Sequence, residues 1–205
     1  MILIGQYDSP FVRRVGIALT LYGLPFQHQP WSVFGDADRV AQLNPLIRVP
    51  VLVLDDGFAL TDSHMILDYL DSLVPTPLFP RAEPQRHRVL KVAALGTGLA
   101  DKAVSLFYER RLHQTTSDLW EERCRRQIGS VLSALEADRA TRPGPWWFEQ
   151  MTHADIAVAC ALRFATEALP DVPDPTTTPH LHAACARLEE TAVFRAVYQP
   201  FSVRA

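Results

Sequence analysis

Residues 7–15 read YDSPFVRRV, and they stand where a short apolar strand gives way to an amphipathic run. Residues 1–4 predict the strand, and apolar residues at helical spacing after Pro10 predict a helix. Ser9 can cap this helix, because its side-chain oxygen can accept a free backbone N–H of the first turn. Pro10 follows at the first helical position, where its missing N–H costs nothing. The pattern places a hydroxyl at a helix N-terminus, which attracts anions, although a plain capping serine would look the same.

Strand-like and helix-like pieces alternate from this helix to about residue 80. The three further strands are predicted at 26–31, 49–54 and 58–60, the last two joined by the turn at 55–57. Asp36 can cap a short second helix, and Thr61-Asp62-Ser63 offers caps for a third. The order is β-α-β-α-β-β-α. Helical crossovers predict parallel pairing, and the hairpin predicts an antiparallel edge.

Beyond residue 80 the strand signals vanish and long periodic runs predict only helices. These are expected at 84–112, 118–141, 152–169 and 177–190, with a short turn near 192–198. Thr152 and Asp155 have the spacing of a capping box, with Asp in place of the usual Glu or Gln. The chain therefore divides into an α/β domain at 1–78, a proline-stiffened linker at 79–87 and an all-helical domain at 88–205.

Bulk properties exclude several classes of function. The formal net charge of −3 and the lack of a basic block with interleaved aromatics argue against nucleic acid as a partner. No apolar run is long enough to span a bilayer, and the N-terminus does not resemble a signal peptide. Three dispersed cysteines, Cys124, Cys160 and Cys185, fit reduced thiols in a cytoplasmic protein and form no metal-binding pair.

Taken together, the chain resembles a cytosolic glutathione transferase over nearly its full length. The resemblance is carried by SPFVRRV at 9–15, NPLIRVPVL at 44–52 and LTDSHMI at 60–66, in that order, followed by the linker and the helices. It is most similar to the serine-type bacterial members near the zeta and theta classes. It implies a thioredoxin-like N-terminal domain with a mixed four-stranded sheet, a C-terminal helical bundle, a homodimer and a role in detoxification.

The resemblance also implies that Ser9 donates a hydrogen bond to the thiolate of glutathione. Tyr7 is the competing donor, because other classes of the family use a tyrosine from the first strand; it could equally be an interdomain packing residue. Phe11 is expected beside glutathione. The Val49-Pro50 bond resembles the family's cis-proline, whose neighbouring backbone pairs with the cysteinyl part of the tripeptide.

The other end of glutathione is expected at Asp62 and Ser63, which resemble the family's γ-glutamyl site. Asp62 can take the ammonium, and the hydroxyl and N–H of Ser63 can take the carboxylate. Arg48 could reach the glycyl carboxylate or be a solvated surface residue. Asp101 could complete the site across a dimer interface or be solvated in the same way.

A second substrate, a small electrophile, is expected between the two domains. The candidate wall residues are Phe34, Phe107, Tyr108 and Arg111. Glutathione would be either substrate or cofactor, without a metal. Conjugation is the leading reaction, with isomerisation, dehalogenation, peroxide reduction or a non-catalytic scaffold as the alternatives.

Overall fold

The computed structural model describes residues 1–201. Two compact units are present: one contains Met1–Leu78 together with the segment that starts at Ala192, and the other contains Phe79–Thr191. The sequence pattern groups the last residues with the helical part, whereas in the structure they pack with the N-terminal residues.

The N-terminal unit is built on the expected mixed four-stranded sheet. Its strands are β1 (Ile2–Ile4), β2 (Gln27–Gln29), β3 (Val51–Val53) and β4 (Ala59–Thr61). They lie in the order β2-β1-β3-β4, with β1 parallel to β2 and the other neighbours antiparallel. The hydrophobic core of this unit lies against the sheet and includes the fully buried Leu3 and Leu52.

The direction of β3 differs from the expectation. The second helical connection was predicted to give a parallel strand, and this is wrong, because β3 runs antiparallel to β1. A helix supplies the chain length that a parallel crossover needs, but it does not fix the direction in which the chain re-enters the sheet. After α2 (Ala37–Leu43) the chain turns, with the N–H of Ile47 donating to the carbonyl of Asn44 at 2.9 Å.

The remaining helices of this unit are α1 (Pro10–Leu21), α3 (Ser63–Ser72) and the short α8 (Ala192–Ala196). The predicted apolar face of α1 is confirmed, since Val12, Val15 and Leu19 are fully buried. Asp36 stands at the cap position of α2, but its side chain accepts from Ser32 N at 3.0 Å and makes no cap hydrogen bond. The prediction that Asp36 caps the helix backbone is therefore wrong.

Arg13 ties the C-terminal segment to α1. Its side chain is only 1% exposed, and it donates from Nε to the carbonyl of Val197 at 2.9 Å and from Nη2 to that of Phe194 at 3.1 Å. The N–H of Tyr7 donates to Oε1 of Gln199 at 3.0 Å. The chain's last described residues thus supply hydrogen-bond acceptors to its first helix.

Gly16 lets the same segments approach α1 closely. A Cβ added there would lie 2.7 Å from Cε1 of Tyr7 and 2.9 Å from Cγ1 of Val197. We expect Gly16→Ala to lower the free energy of unfolding by about 1–3 kcal/mol, because overpacking outweighs the gain in helix propensity. Urea denaturation measures this. Gly129→Ala is the control, since nothing lies within 4 Å of the added Cβ; equal stabilisation of both variants would contradict the prediction.

The second unit consists of helices, as predicted. They are α4 (Gln85–Leu112), α5 (Asp118–Ala140), α6 (His153–Ala168) and α7 (Pro179–Glu189). Helix α6 is buried on nearly all sides, as expected for a helix that is apolar all round. Gly96 of α4 lies against its backbone, because an added Cβ would be 2.9 Å from the nitrogen of Val158.

The capping box at the start of α6 is confirmed. Thr152 Oγ1 accepts from the N–H of Ala154 at 3.3 Å, and Asp155 Oδ2 accepts from the N–H of Thr152 at 2.9 Å. Asp155 also uses Oδ1 to accept from the backbone N–H of Trp147 at 2.7 Å. The carboxylate therefore fixes both the helix start and the segment before it.

Candidate functional site

Three loops converge at one edge of the sheet. Ile4 is in register with Val51, and Val51 with Thr61. The chain leaves β1 toward Ser9, enters β3 from Pro50 and leaves β4 toward Asp62, so all three loops start at the same edge. Because neighbouring strands lie about 4.8 Å apart, the three strand ends fall within roughly 10 Å.

Gly5 holds two of these loops together. It follows β1 with a φ of +124°, and a Cβ there would lie 2.5 Å from Cγ2 of Val12 and 2.8 Å from Cβ of Val49. The first turn of α1 and the loop before Pro50 therefore both pack on the glycine. Sequence reasoning did not single out Gly5, although a glycine directly after a strand is a signal of close backbone approach.

Ser9 is the N-cap of α1, as the sequence predicts. Its backbone is extended (φ −67°, ψ 123°), and its Oγ accepts from the N–H of Val12 at 3.4 Å. A hydroxyl has one donor and two acceptor sites, so capping leaves the proton available. Within residues 1–201 no group accepts from it. The half-buried hydroxyl can therefore donate to an anion at the helix N-terminus.

Tyr7 has a different environment. Its ring stacks on that of His28, with centroids 3.8 Å apart and planes inclined by 12°. It is 9% exposed, and burial raises the pKa of its hydroxyl to about 12. The Tyr7 ring is held against His28, whereas the Ser9 hydroxyl lies at a helix N-terminus, so the geometry of the anion site favours Ser9.

The loop before β3 offers backbone groups for a peptide. The Val49-Pro50 bond is cis, as the resemblance implied. Pro50 is buried and Val49 is half-buried. In the described part of the chain, neither the N–H nor the C=O of Val49 has a hydrogen-bond partner. An extended peptide could pair with these groups as an added strand does.

Asp62 and Ser63 begin α3. Asp62 has a φ of +68°, a region that non-glycine residues rarely adopt and that recurs at ligand sites. Its Oδ1 accepts from the N–H of His64 at 2.7 Å. Ser63 is 3% exposed, and its Oγ accepts from Nη1 of Arg14 at 3.3 Å.

Arg14 is a member of this site that sequence reasoning missed. It lies on α1, is 1% exposed and joins α1 to the start of α3 through Ser63. Burial first, and then repulsion by Arg14, lower the pKa of His64 on the same turn. The guanidinium thus adds positive charge where a carboxylate is expected. The sequence does contain a signal for this residue, since Arg13 and Arg14 form a charged pair within an otherwise apolar helix face.

Of the other predicted residues, Phe11 lies close to Ser9, and the rest are exposed or belong to the helical unit. Phe11 is half-buried in the first turn of α1, and the side chain of Arg48 is exposed. Phe34 is 50% exposed in the N-terminal unit. In the helical unit, the rings of Phe107 and Tyr108 are 5.9 Å apart.

The two remaining candidates lie on α4 of the helical unit. Arg111 is exposed near the end of the helix. Asp101 forms an ion pair with its neighbour Lys102 at 3.0 Å.

Residues 1–201 contain no group of three or more His, Cys, Asp or Glu residues that could hold a metal ion. None of the helices in this range has both the length and the apolar character needed to cross a bilayer. Cys124, Cys160 and Cys185 are buried and form no disulfide among the described residues.

Comparisons with known proteins agree with this geometry. Residues 3–78 match the N-terminal domain model of glutathione S-transferases, and residues 118–187 match the C-terminal domain model. The GST-like protein YibF of Escherichia coli K12 is 34% identical over 166 residues, which cover 80% of this chain and 81% of YibF.

Solved structures agree as well. A glutathione transferase family member from Pseudomonas fluorescens Pf-5 with bound glutathione is 31% identical, with a TM-score of 0.83 over 98% of this chain and 99% of that one. A bacterial zeta-class maleyl pyruvate isomerase is 27% identical, with a TM-score of 0.83 over 99% of this chain and 100% of the other. The chain therefore belongs to the glutathione S-transferase family.

Proposed function

We propose that the protein is a serine-type glutathione transferase in which Ser9 stabilises the glutathione thiolate. The observation that carries the proposal is the available proton of the Ser9 hydroxyl at the N-terminus of α1. Lowering a thiol pKa from about 8.5 by two units requires about 2.7 kcal/mol. A hydrogen bond to a charged group gives roughly 1.5–3 kcal/mol, and a helix N-terminus adds about 0.3–1 kcal/mol. These contributions suffice without a metal or a general base.

The rest of the tripeptide would follow the sheet edge. The cysteinyl backbone would pair with the N–H and C=O groups of Val49 beside Pro50. Asp62 would bind the γ-glutamyl ammonium, and Ser63, with the buried Arg14 beside it, would bind the carboxylate. The glycyl carboxylate would meet Arg48, and Phe11 would flank the thiol.

In the reaction, the thiolate sulfur attacks the electrophile and forms the new carbon–sulfur bond as the leaving group departs. Ser9 keeps its proton throughout, because it only stabilises the anion. We assign glutathione binding to residues 1–78 and the second-substrate walls to the helical unit, which ends at Thr191, together with Phe34, with 79–87 as the linker. The wall residues on α4 would be Phe107, Tyr108 and Arg111. We also propose a homodimer in the cytoplasm, where the three thiols stay reduced.

A glutathione-dependent isomerase is the second candidate, and the likeness to maleyl pyruvate isomerase favours it. In that reaction the sulfur adds to the substrate and leaves again, so glutathione acts as a cofactor. Product analysis separates the two functions, because conjugation consumes glutathione and isomerisation does not.

Ultraviolet titration of bound glutathione tests the proposed function. We expect the thiolate absorbance to appear about two pH units lower than for free glutathione, since the site favours the anion. An unshifted titration in a protein that binds glutathione would overturn the role of the site in activation. A protein that does not bind glutathione at all would be a scaffold.

The γ-glutamyl site gives a separate prediction. Asp62→Asn is expected to raise the KM for glutathione about tenfold or more and to leave kcat nearly unchanged, because a charge-assisted hydrogen bond is lost far from the sulfur. The side-chain oxygen of Asn can still accept the capping hydrogen bond from the N–H of His64. Asp68→Asn, an exposed position of the same helix, is the control. An equal effect of both variants on KM would argue against Asp62.

A further inference from the structure

A second candidate site lies within the helical unit. The end of α5, the following residues and α7 line an open cavity of about 340 Å³. Four basic side chains line it, Arg139, Arg142, His180 and Arg187, and its other lining comes from residues 143–145 and Ala183. This concentration of cations is unexpected in a chain whose net charge is −3.

Arg139 is the buried cation of this cavity. It is 4% exposed, and its guanidinium donates from Nη1 to the carbonyl of Arg142 at 2.7 Å and from Nη2 to that of Gly144 at 2.6 Å. A guanidinium has five donors, so these bonds leave others unused. Burial, followed by repulsion from Arg187, lowers the pKa of Arg139. Carbonyl oxygens orient this group but do not neutralise it.

The two nearby carboxylates of α5 pair with two of the four basic side chains of the cavity, His180 and Arg142. Glu136 accepts from the backbone N–H of His180 at 3.0 Å and from its Nδ1 at 2.6 Å. Asp138 accepts from Nη2 of Arg142 at 2.9 Å and from the indole N–H of Trp147. Across the described residues, neither Arg139 nor Arg187 forms an ion pair with a carboxylate.

Arg142 adds an unused donor. Its Nε is buried and makes no hydrogen bond within the described range, although Nη2 is held by Asp138. Its guanidinium lies over the ring of Phe148, 5.2 Å from the centroid. A buried N–H without an acceptor is costly.

We propose that this cavity binds a phosphate group, as inorganic phosphate or as a small phosphomonoester. Guanidinium groups match phosphate oxygens in paired hydrogen bonds, and three arginines, from α5, the segment after it and α7, fit a multiply charged oxyanion. A cavity of about 340 Å³ also has room for an organic part of the ligand. The proposal is independent of glutathione chemistry, because every residue in it belongs to the helical unit.

Calorimetric titration of the full chain tests the proposal. Inorganic phosphate and phenyl phosphate are titrated in turn at constant ionic strength in chloride. We expect Arg187→Gln to weaken the binding of each at least tenfold, because a charged donor is lost from an exposed position without other bonds. Arg126→Gln removes the same charge from an exposed position of α5, about 20 Å along the helix from Arg139, and should bind like the parent.

The outcomes separate the possible ligands. Phenyl phosphate binding at least tenfold tighter than phosphate identifies a phosphomonoester site, and equal affinities identify a site for the free anion. Lack of binding at millimolar concentration, or equal weakening by both substitutions, would overturn the proposal, since the second result means non-specific attraction. Circular dichroism and urea midpoints show that each variant is folded, and Arg187→Lys should bind with intermediate affinity if the paired hydrogen bonds matter.

Discussion

Replacing Ser9 by alanine is expected to lower kcat for glutathione conjugation about 10²-fold. The substitution removes the hydroxyl donor to the thiolate, and losing one preorganised donor to a developing or stabilised anion costs about 10²–10³ in rate. The KM for glutathione should change little, because in the proposed function Val49, Asp62 and Ser63 would bind the rest of the tripeptide. Initial rates with a chloronitroarene, measured across pH, report both constants.

The control must account for the lost helix cap. Ser117 caps α5 in the same way, with Oγ accepting from the N–H of Trp120 at 3.3 Å. Ser117→Ala and Ser9→Ala should each lower the free energy of unfolding by about 1 kcal/mol, but only Ser9→Ala should lower kcat. Ser9→Thr, which keeps a hydroxyl, should retain substantial activity. Undiminished conjugation by Ser9→Ala would remove Ser9 from the mechanism.

Asp155→Ala is expected to have the largest effect on stability, a loss of about 2–5 kcal/mol in the free energy of unfolding. Its carboxylate accepts from the backbone N–H groups of Trp147 and Thr152 and from the Thr152 hydroxyl at 3.0 Å. Alanine leaves these buried donors without acceptors, and each unsatisfied group costs about 1–3 kcal/mol. Urea denaturation measures the loss.

Two other substitutions calibrate that measurement. Thr152→Ala removes one side of the capping box and should cost about 1 kcal/mol. Glu167→Ala removes only a surface ion pair with Arg163 on the same helix and should cost less than about 1 kcal/mol. If Asp155→Ala were no worse than Glu167→Ala, the carboxylate would not be holding the start of α6.

The sequence allowed the helices to be placed because their ends are set by local chemistry. Ser9 with Pro10 starts α1, Thr152 with Asp155 starts α6, and both signals depend on residues within one turn. The direction of β3 was mispredicted because it depends on the end of the sheet at which the chain re-enters after α2, and no local pattern encodes that choice.

The residues of the candidate site were likewise predictable where a local motif marks them and not where long-range contacts do. Ser9, Pro50, Asp62 and Ser63 were found because they lie in short motifs that resemble those of a known family. Gly5 and Arg14 were missed because their roles arise from contacts between distant segments. The side chains of Val12 and Val49 pack against Gly5. Arg14 donates a hydrogen bond to Ser63.

The bonds from Arg13 to the carbonyls of Phe194 and Val197 bear on how the molecule is made. A ribosome releases residue 13 before residues 194 and 197, which lie 181 and 184 residues further along the chain. The thioredoxin-like unit, although encoded first, therefore lacks acceptors for a buried guanidinium until the helical unit has been synthesised. An N-terminal fragment cut at residue 78 should for this reason be a poor autonomous folding unit, and a chimera built at that junction needs its C-terminal tail from the same parent.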